Sequence, residues 1–227
     1  NFMNKLIAFG DSFTWGSELA DTVDADDIHS NYTWPALLAK KHGMQYMCFA
    51  KPGAGNQTIA RTILSNIDKI ATSDLVVINW TWIDRWDFYN LQDRDWVTVR
   101  PSSNATTIFD RYYFKYFQSE LWNKLESLKS VTLVHSLLKA HSINFIATSI
   151  DDLLFDTRFH FPSYIKFLQN SIKDDITYFN NNGFYKWSKA NKFEIGENGH
   201  PLEKAHHSAF NYIEENYDFD KYTKSNP

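Results

Sequence analysis

The sequence predicts an α/β fold: a three-layer α/β/α sandwich on a mostly parallel sheet. Three observations carry this reading. Short apolar runs recur along the chain with helical stretches between them, an alternation that calls for right-handed crossovers onto a parallel sheet. One run, Leu75-Val76-Val77-Ile78, is continuous and mostly β-branched, as in a strand covered on both faces. Glycine is scarce, with eight in 227 residues, about half the usual ~7%. Four of the eight, Gly10, Gly16, Gly53 and Gly55, fall in two short stretches near predicted strand ends.

Taken in order, Lys5 to Phe9 reads as a buried strand ended by Gly10-Asp11-Ser12. An acidic run, Asp21 to Asp27, reads as a solvated loop, since it lacks the turn glycine of a calcium loop. A helix is predicted from about Tyr32 to Lys41, with Ser30 or Asn31 as N-cap and Gly43 at its end. Gln45 to Phe49 is a second strand. After the loop Lys51 to Asn56, Ile59, Ile63, Ile67 and Ile70 recur at helical spacing. Leu75 to Ile78 is the third strand and Ile143 to Ala147 the fourth. Between them, residues 80–105 read as irregular and tryptophan-rich, and residues 110–141 as two helices. Residues 150–190 are mixed and aromatic. A last helix is predicted from about Leu202 to Asn216.

The composition narrows the classes. Hydrophobic residues make up 43% and charged residues 22%, globular values for a chain long enough to bury one sizeable core. A single domain over 1–217 is expected, with an aromatic-rich insertion around 80–110 and a polar tail over 218–227. The net charge of −4 offers no basic excess for a phosphate backbone, so no nucleic-acid partner is expected. Cys48 is the one cysteine, which excludes an intrachain disulfide and reads as a buried thiol. The apolar run Leu6 to Phe9 is too short for a bilayer span or a signal-peptide core, and a cytoplasmic location is expected. Asn-x-Thr sequons at Asn31, Asn56, Asn79 and Asn104 read as chance, because two of them fall in a buried strand and a site loop.

Three segments carry chemistry. In Phe9-Gly10-Asp11-Ser12-Phe13 a serine follows a strand and opens a helix, where free N–H groups favour developing negative charge; the bland alternative is a helix cap. In Glu197-Asn198-Gly199-His200-Pro201 one turn offers a histidine and a carboxylate, the pair a general base needs. Pro52-Gly53-Ala54-Gly55-Asn56 follows a strand and opens a helix, but Thr58 stands where a dinucleotide fingerprint needs its third glycine. Neither a Walker pattern nor a Gly-x-Ser-x-Gly elbow occurs. In sheets of this type, ligands bind beyond the carboxyl ends of the strands, so Ser12, Gly53 and Thr81 should meet at one edge.

Together these segments resemble the SGNH or GDSL hydrolases. Gly10-Asp11-Ser12 matches the first block, Gly53 the second, and His200-Pro201 the fifth, over about residues 3–215. The resemblance implies the SGNH fold with its flavodoxin-like sheet and a serine esterase. Ser12 would be the nucleophile, His200 the base and Glu197 the orienting acid. Ser12 and Gly53 would hold the oxyanion with Asn56 or Thr81, and Asp11 and Arg85 would line the substrate site. No cofactor or metal is needed. The substrate would be a small-molecule or glycan ester, such as an acetylated saccharide. Two departures stand out. Glu197 occupies the place of the usual aspartate, and Asn79-Trp80-Thr81-Trp82-Ile83-Asp84-Arg85 lacks the third-block asparagine, as in some phage and bacterial relatives. A non-catalytic binding module on the same fold, or an O-acyltransferase, is the alternative.

Several further features have plain readings. Trp80, Trp82, Trp86 and Trp96 read as packing of the insertion or as a stacking surface for sugar or acyl groups. Asp84 and Arg85 read as a structural pair unless Arg85 clamps an anionic substrate. Glu203 and His207 read as an exposed helical pair, and His135, His141 and His160 as structural.

Overall fold

The computed structural model describes residues 4–22, 28–101, 108–157 and 162–219. The first strand, β1 (Lys5–Phe9), leads into a four-residue helix, α1 (Ser12–Trp15). After α2 (Trp34–Lys41), β2 (Gln45–Cys48) and α3 (Asn56–Leu64) comes β3 (Leu75–Trp80). A hairpin, β4 (Trp86–Asn90) and β5 (Asp95–Val99), precedes α4 (Ile108–Tyr116) and the long α5 (Glu120–Ala140). The chain continues through β6 (Asn144–Ser149), α6 (Ser163–Ile172), β7 (Ile176–Thr177) and α7 (Phe184–Ala190) to α8 (Glu203–Asn216).

The main sheet has five strands in the order β2-β1-β3-β6-β7, and every pairing is parallel. All six residues of β3 are buried, because helices cover both faces of the sheet. Alternation along the strands sends Ile7, Phe9, Val76, Ile78 and Trp80 to one face. There they meet Ile59 and Ile63 of α3, Leu128 and Val131 of α5 and Ile165 of α6. Leu6, Ala8, Leu75 and Val77 face the other way, onto Trp34 and Leu38 of α2, Phe184 of α7 and Ala205, Ala209 and Ile213 of α8. The chain leaves β1 to build β2 on one side and returns to build β3 on the other. That reversal opens a crevice at the carboxyl ends of β1 and β3, and Ser12 and Thr81 stand at its two lips.

Five details differ from the sequence reading. The helix expected through Ile59, Ile63, Ile67 and Ile70 ends at Leu64, and Ile67–Lys69 form a separate 3₁₀ turn. Residues 86–99 form an antiparallel hairpin rather than irregular chain; its strands carry mixed polar and aromatic residues with no clean period. β7 adds a fifth strand of two residues, too short to show any period. Helix α2 starts at Trp34, with Thr33 as N-cap and a proline in the first turn, while the Ser30 hydroxyl accepts from the Tyr32 N–H. Strands β3 and β6 run two residues further than their apolar runs, because buried Asn79 and Thr148 satisfy each other by a 2.9 Å hydrogen bond. Most of the acidic loop (23–27), the end of the insertion (102–107), His160 and the tail from 220 lie outside the described residues.

Two buried titratable groups set opposite pH slopes. Burial pushes the Asp151 carboxyl, just beyond β6, up to about 7, aided by the charges of Asp152 and Asp84. Its ionised form is disfavoured in the fold, so this group costs stability as pH rises from about 4 to about 7. His206 on α8 runs the other way. Burial, with the charge of His200 nearby, lowers it to about 3, so its contribution is lost as pH falls from about 6.5 toward 3. Asp151→Asn is therefore expected to melt several degrees above the parent at pH 8 and with it at pH 4, as thermal unfolding followed by circular dichroism will read.

Candidate active site

Ser12 is the first residue of α1, and its N–H has no partner among the described residues, whereas the Thr14 and Trp15 N–H groups donate to the Asp11 carbonyl at 3.1 and 2.9 Å. Asp11 caps this turn, its Oδ1 accepting from the Phe13 N–H at 3.0 Å. The other Asp11 oxygen accepts from the Thr81 hydroxyl at 2.7 Å and from Arg85 Nη1 at 2.9 Å. The same Arg85 nitrogen donates to the Ala54 carbonyl at 2.7 Å. Asp11 is fully buried, so its ion pair with Arg85 is a buried one that the two added hydrogen bonds help to satisfy. One carboxylate thus ties the start of α1 to the loop after β3 and, through Arg85, to the loop after β2.

Asn56 makes a second clamp. Its Oδ1 accepts from the Thr81 N–H at 2.8 Å, and its Nδ2 donates to the Thr81 carbonyl and to Ser127 Oγ, both at 3.1 Å. Both of its N–H bonds are committed. Asn56 and the Thr81 hydroxyl, read from the sequence as oxyanion donors, here donate to other protein groups. Asp11 and Arg85, read as lining the substrate site, here hold each other, and the ion pair of Arg85 is with Asp11 rather than with Asp84. The Ser12 and Gly53 N–H groups, in contrast, donate to no described residue. Gly53 has φ +80°, a conformation in which a side chain is strained, and its loop is anchored by the Lys51 N–H on the Gly10 carbonyl at 3.1 Å.

His200 sits at the end of a tight turn closed by the Gly196 N–H on the His200 carbonyl at 2.8 Å. Its ring packs edge-on against Phe13, the neighbour of Ser12, with centroids 5.4 Å apart. The carboxylate on its ring is not Glu197, whose side chain is exposed. It is Glu18, 182 positions away in sequence, with Oε2 2.5 Å from His200 Nδ1. Glu18 follows α1 in a left-handed conformation, φ +69°, uncommon outside glycine. Its Oε1 accepts from the N–H and Nδ2 of Asn198, at 2.9 and 3.2 Å, and its Oε2 also from the His200 N–H at 3.3 Å. A Cβ on Gly196 would come within 2.7 Å of this carboxylate, so glycine is what lets the turn close over it. Partial burial works to raise the Glu18 carboxyl, but the donors on Asn198 and His200 outweigh it and hold the group below the usual carboxylate range. An ionised carboxylate only accepts, so Nδ1 of His200 carries a proton, and the neutral form of the ring is the tautomer with its lone pair on Nε2.

The remaining histidines and tryptophans have other work. His206 is buried and accepts from the Trp34 N–H at 3.2 Å. Glu203 receives the Ala20 N–H at 2.7 Å rather than pairing with His207, whose Nδ1 lies 3.4 Å from Asn211 Nδ2. Trp80 is core and donates to His135 at 3.1 Å, while Trp86 stacks on Tyr113. Trp82 meets Tyr185, and Trp96 is about half exposed.

A family model described as GDSL-like lipase/acylhydrolase matches residues 6–213. The chain belongs to this family. It is an ester-hydrolysing enzyme by that membership. Among solved structures, the GDSL hydrolase is similar to TesA, at TM-score 0.53 and 11% identity, covering 96% of this chain and 99% of that one. Phospholipase A1 from Streptomyces albidoflavus NA297 follows at TM-score 0.51 and 13% identity, covering 95% and 100%. A carbohydrate esterase family 2 enzyme with a carbohydrate-binding domain, from Corynascus thermopiles, gives TM-score 0.50 at 15% identity, covering 94% of this chain and 65% of that one. At such identities these likenesses speak for the fold. Comparison with curated proteins finds no match. No described helix is long and apolar enough to cross a membrane.

Arg85→Met leaves Asp11 buried without its countercharge and is expected to cost about 3–5 kcal/mol in urea unfolding. The double variant Asp11→Asn with Arg85→Met is expected to lose less than Arg85→Met alone.

Proposed function

We propose that this GDSL hydrolase cleaves small carboxylic esters through an acyl-enzyme on Ser12, with His200 as general base and Glu18 as its orienting acid. The supporting observation is the Glu18–His200 pair, held by the turn that follows Ser12's own helix. In this reading Ser12 Oγ bonds to the ester carbon as its proton passes to His200 Nε2. The carbonyl electron pair moves onto oxygen, held by the N–H groups of Ser12 and Gly53. Collapse expels the alcohol, which takes the proton from His200, and water repeats the sequence on the acyl group. Glu18 keeps the imidazole in the tautomer that accepts at Nε2 and stabilises its cation. The substrate is taken as a short acyl ester of a small molecule or saccharide.

A fluorophosphonate probe is expected to add once to the parent and not to Ser12→Ala, read by intact mass. A folded parent that takes no label and ignores 4-nitrophenyl acetate contradicts the reading and favours a binding module. Glu18→Gln is expected to lower kcat by about two to four orders of magnitude with little change in KM, and Glu18→Asp to restore part of it. Glu197→Gln is expected to stay within about twofold. Gly53→Ala is expected to lose at least about tenfold in kcat, because a methyl group strains φ and meets Arg100 Nη1 at 3.0 Å.

A further inference from the structure

The hairpin β4–β5 does more than fill space beside the crevice. It leans over the loop after β2 and leaves a cleft of about 260 Å³, whose lining includes Lys51, Gly53, Thr58, Trp96, Thr98 and Arg100. The cleft begins at Gly53, the proposed second oxyanion donor. Arg100 lies directly over that glycine, since a Cβ built there would sit 3.0 Å from Nη1 and 3.4 Å from the guanidinium carbon. Neither Arg100 nor Lys51 forms an ion pair or a side-chain hydrogen bond with a described residue. Both are exposed. A third cation stiffens the wall: Arg61 donates to Thr58 Oγ1 at 2.8 Å and stacks on the Trp96 ring, 3.5 Å from its centroid.

The nearby carboxylates do not neutralise this group. Asp87 is buried behind the wall, with its oxygens taken by the Thr58 N–H at 2.7 Å and by the Thr98 hydroxyl. It offsets part of the Arg61 charge. Asp95 accepts from the adjacent Trp96 N–H at 2.7 Å. Lys51 and Arg100 are left as free donors at one end of an aromatic-walled cleft, in a chain whose net charge is −4. The local sign runs against the global one.

The geometry points to a subsite for an anionic group: the cleft between Gly53 and Trp96 takes esters carrying a carboxylate or a similar anion, held by Arg100 and Lys51. The inference rests on the esterase reading and names the substrate class for it. A guanidinium beside the reacting centre binds a carboxylate with charge-assisted, often bidentate hydrogen bonds, and Trp96 offers a flat wall to the group between anion and ester. The anion can be carried on the acyl arm or on the alcohol arm, and the two are separable.

The experiment compares kcat/KM within two pairs of esters. In the first, mono-4-nitrophenyl adipate is set against 4-nitrophenyl hexanoate, placing the charge on the acyl arm. In the second, 4-acetoxybenzoate is set against methyl 4-acetoxybenzoate, placing it on the alcohol arm. The anionic member of one pair is expected to be favoured about tenfold or more, and Arg100→Gln is expected to bring that pair to near equality, chiefly through KM. No preference in either pair, or a preference that survives in Arg100→Gln with Lys51→Gln, overturns the inference. If none of the four esters shows Ser12-dependent turnover, the esterase reading fails and calorimetry decides the cleft separately. Monomethyl adipate that binds the parent but not Arg100→Gln, with dimethyl adipate silent, keeps the anion site. No binding of monomethyl adipate to the parent removes it.

Discussion

The Asp11 carboxylate pairs with Arg85 at a position with no solvent exposure, and the crevice is organised around the need to satisfy it. Its two oxygens draw in the first turn of α1, the hydroxyl of Thr81 and the guanidinium of Arg85. Arg85 in turn grips Ala54. Three loops that leave three strands are thereby fixed to one another, and Ser12 and Gly53 are carried along with them. Such a hub is costly to assemble piecemeal, because a buried charge stripped of any one partner is left without compensation. It also explains how the site keeps its shape without the third-block asparagine: Asn56 and Thr81 join the loops directly, as structural clamps.

The second consequence concerns where the acid comes from. In the pattern that the His200-Pro201 motif resembles, the acid stands three residues ahead of the histidine. Here Glu197 is exposed, and the carboxylate on the His200 ring is that of Glu18. Helix α1 and the turn after it thus carry both Ser12 and the carboxylate, and the late turn carries the histidine. Glu18 also caps that late turn by accepting from Asn198 and His200 backbone groups, so holding the ring and holding its loop are one interaction. The left-handed backbone at Glu18 is offset by these contacts.

Much of the architecture is legible in the residues. Continuous apolar β3 and the helical spacing through Ile59 and Ile63 identify a covered parallel sheet, and rare glycines mark the loops at its carboxyl edge. Ser12 and Gly53 are legible because each sits in a short motif after a strand, and His200 because it stands with Pro201 in a glycine-bearing turn ahead of the last helix. Glu18 is not: it lies in a turn without periodicity, and its partner is far away in sequence, so only the folded chain brings the two together. The roles of Asp11, Asn56, Thr81 and Arg85 are illegible for a related reason. Sequence offers their hydrogen-bonding capacity but not how that capacity is spent, and here it is spent on one another. The hairpin bearing Trp96, and Arg100 just after it, hide because polar and aromatic residues both pack inward: Asp87 accepts from the Thr58 N–H, Trp86 stacks on Tyr113 and Trp96 on Arg61, so no clean alternation marks the strands.

The pairing of Glu18 with His200 is open to direct inspection by long-range proton–nitrogen NMR of the imidazole at neutral pH. If Glu18 orients the ring, the neutral imidazole holds its proton on Nδ1 in the parent and in Glu197→Ala, and that tautomer is lost or mixed in Glu18→Ala. A ring whose tautomer ignores Glu18→Ala but changes in Glu197→Ala would contradict that role.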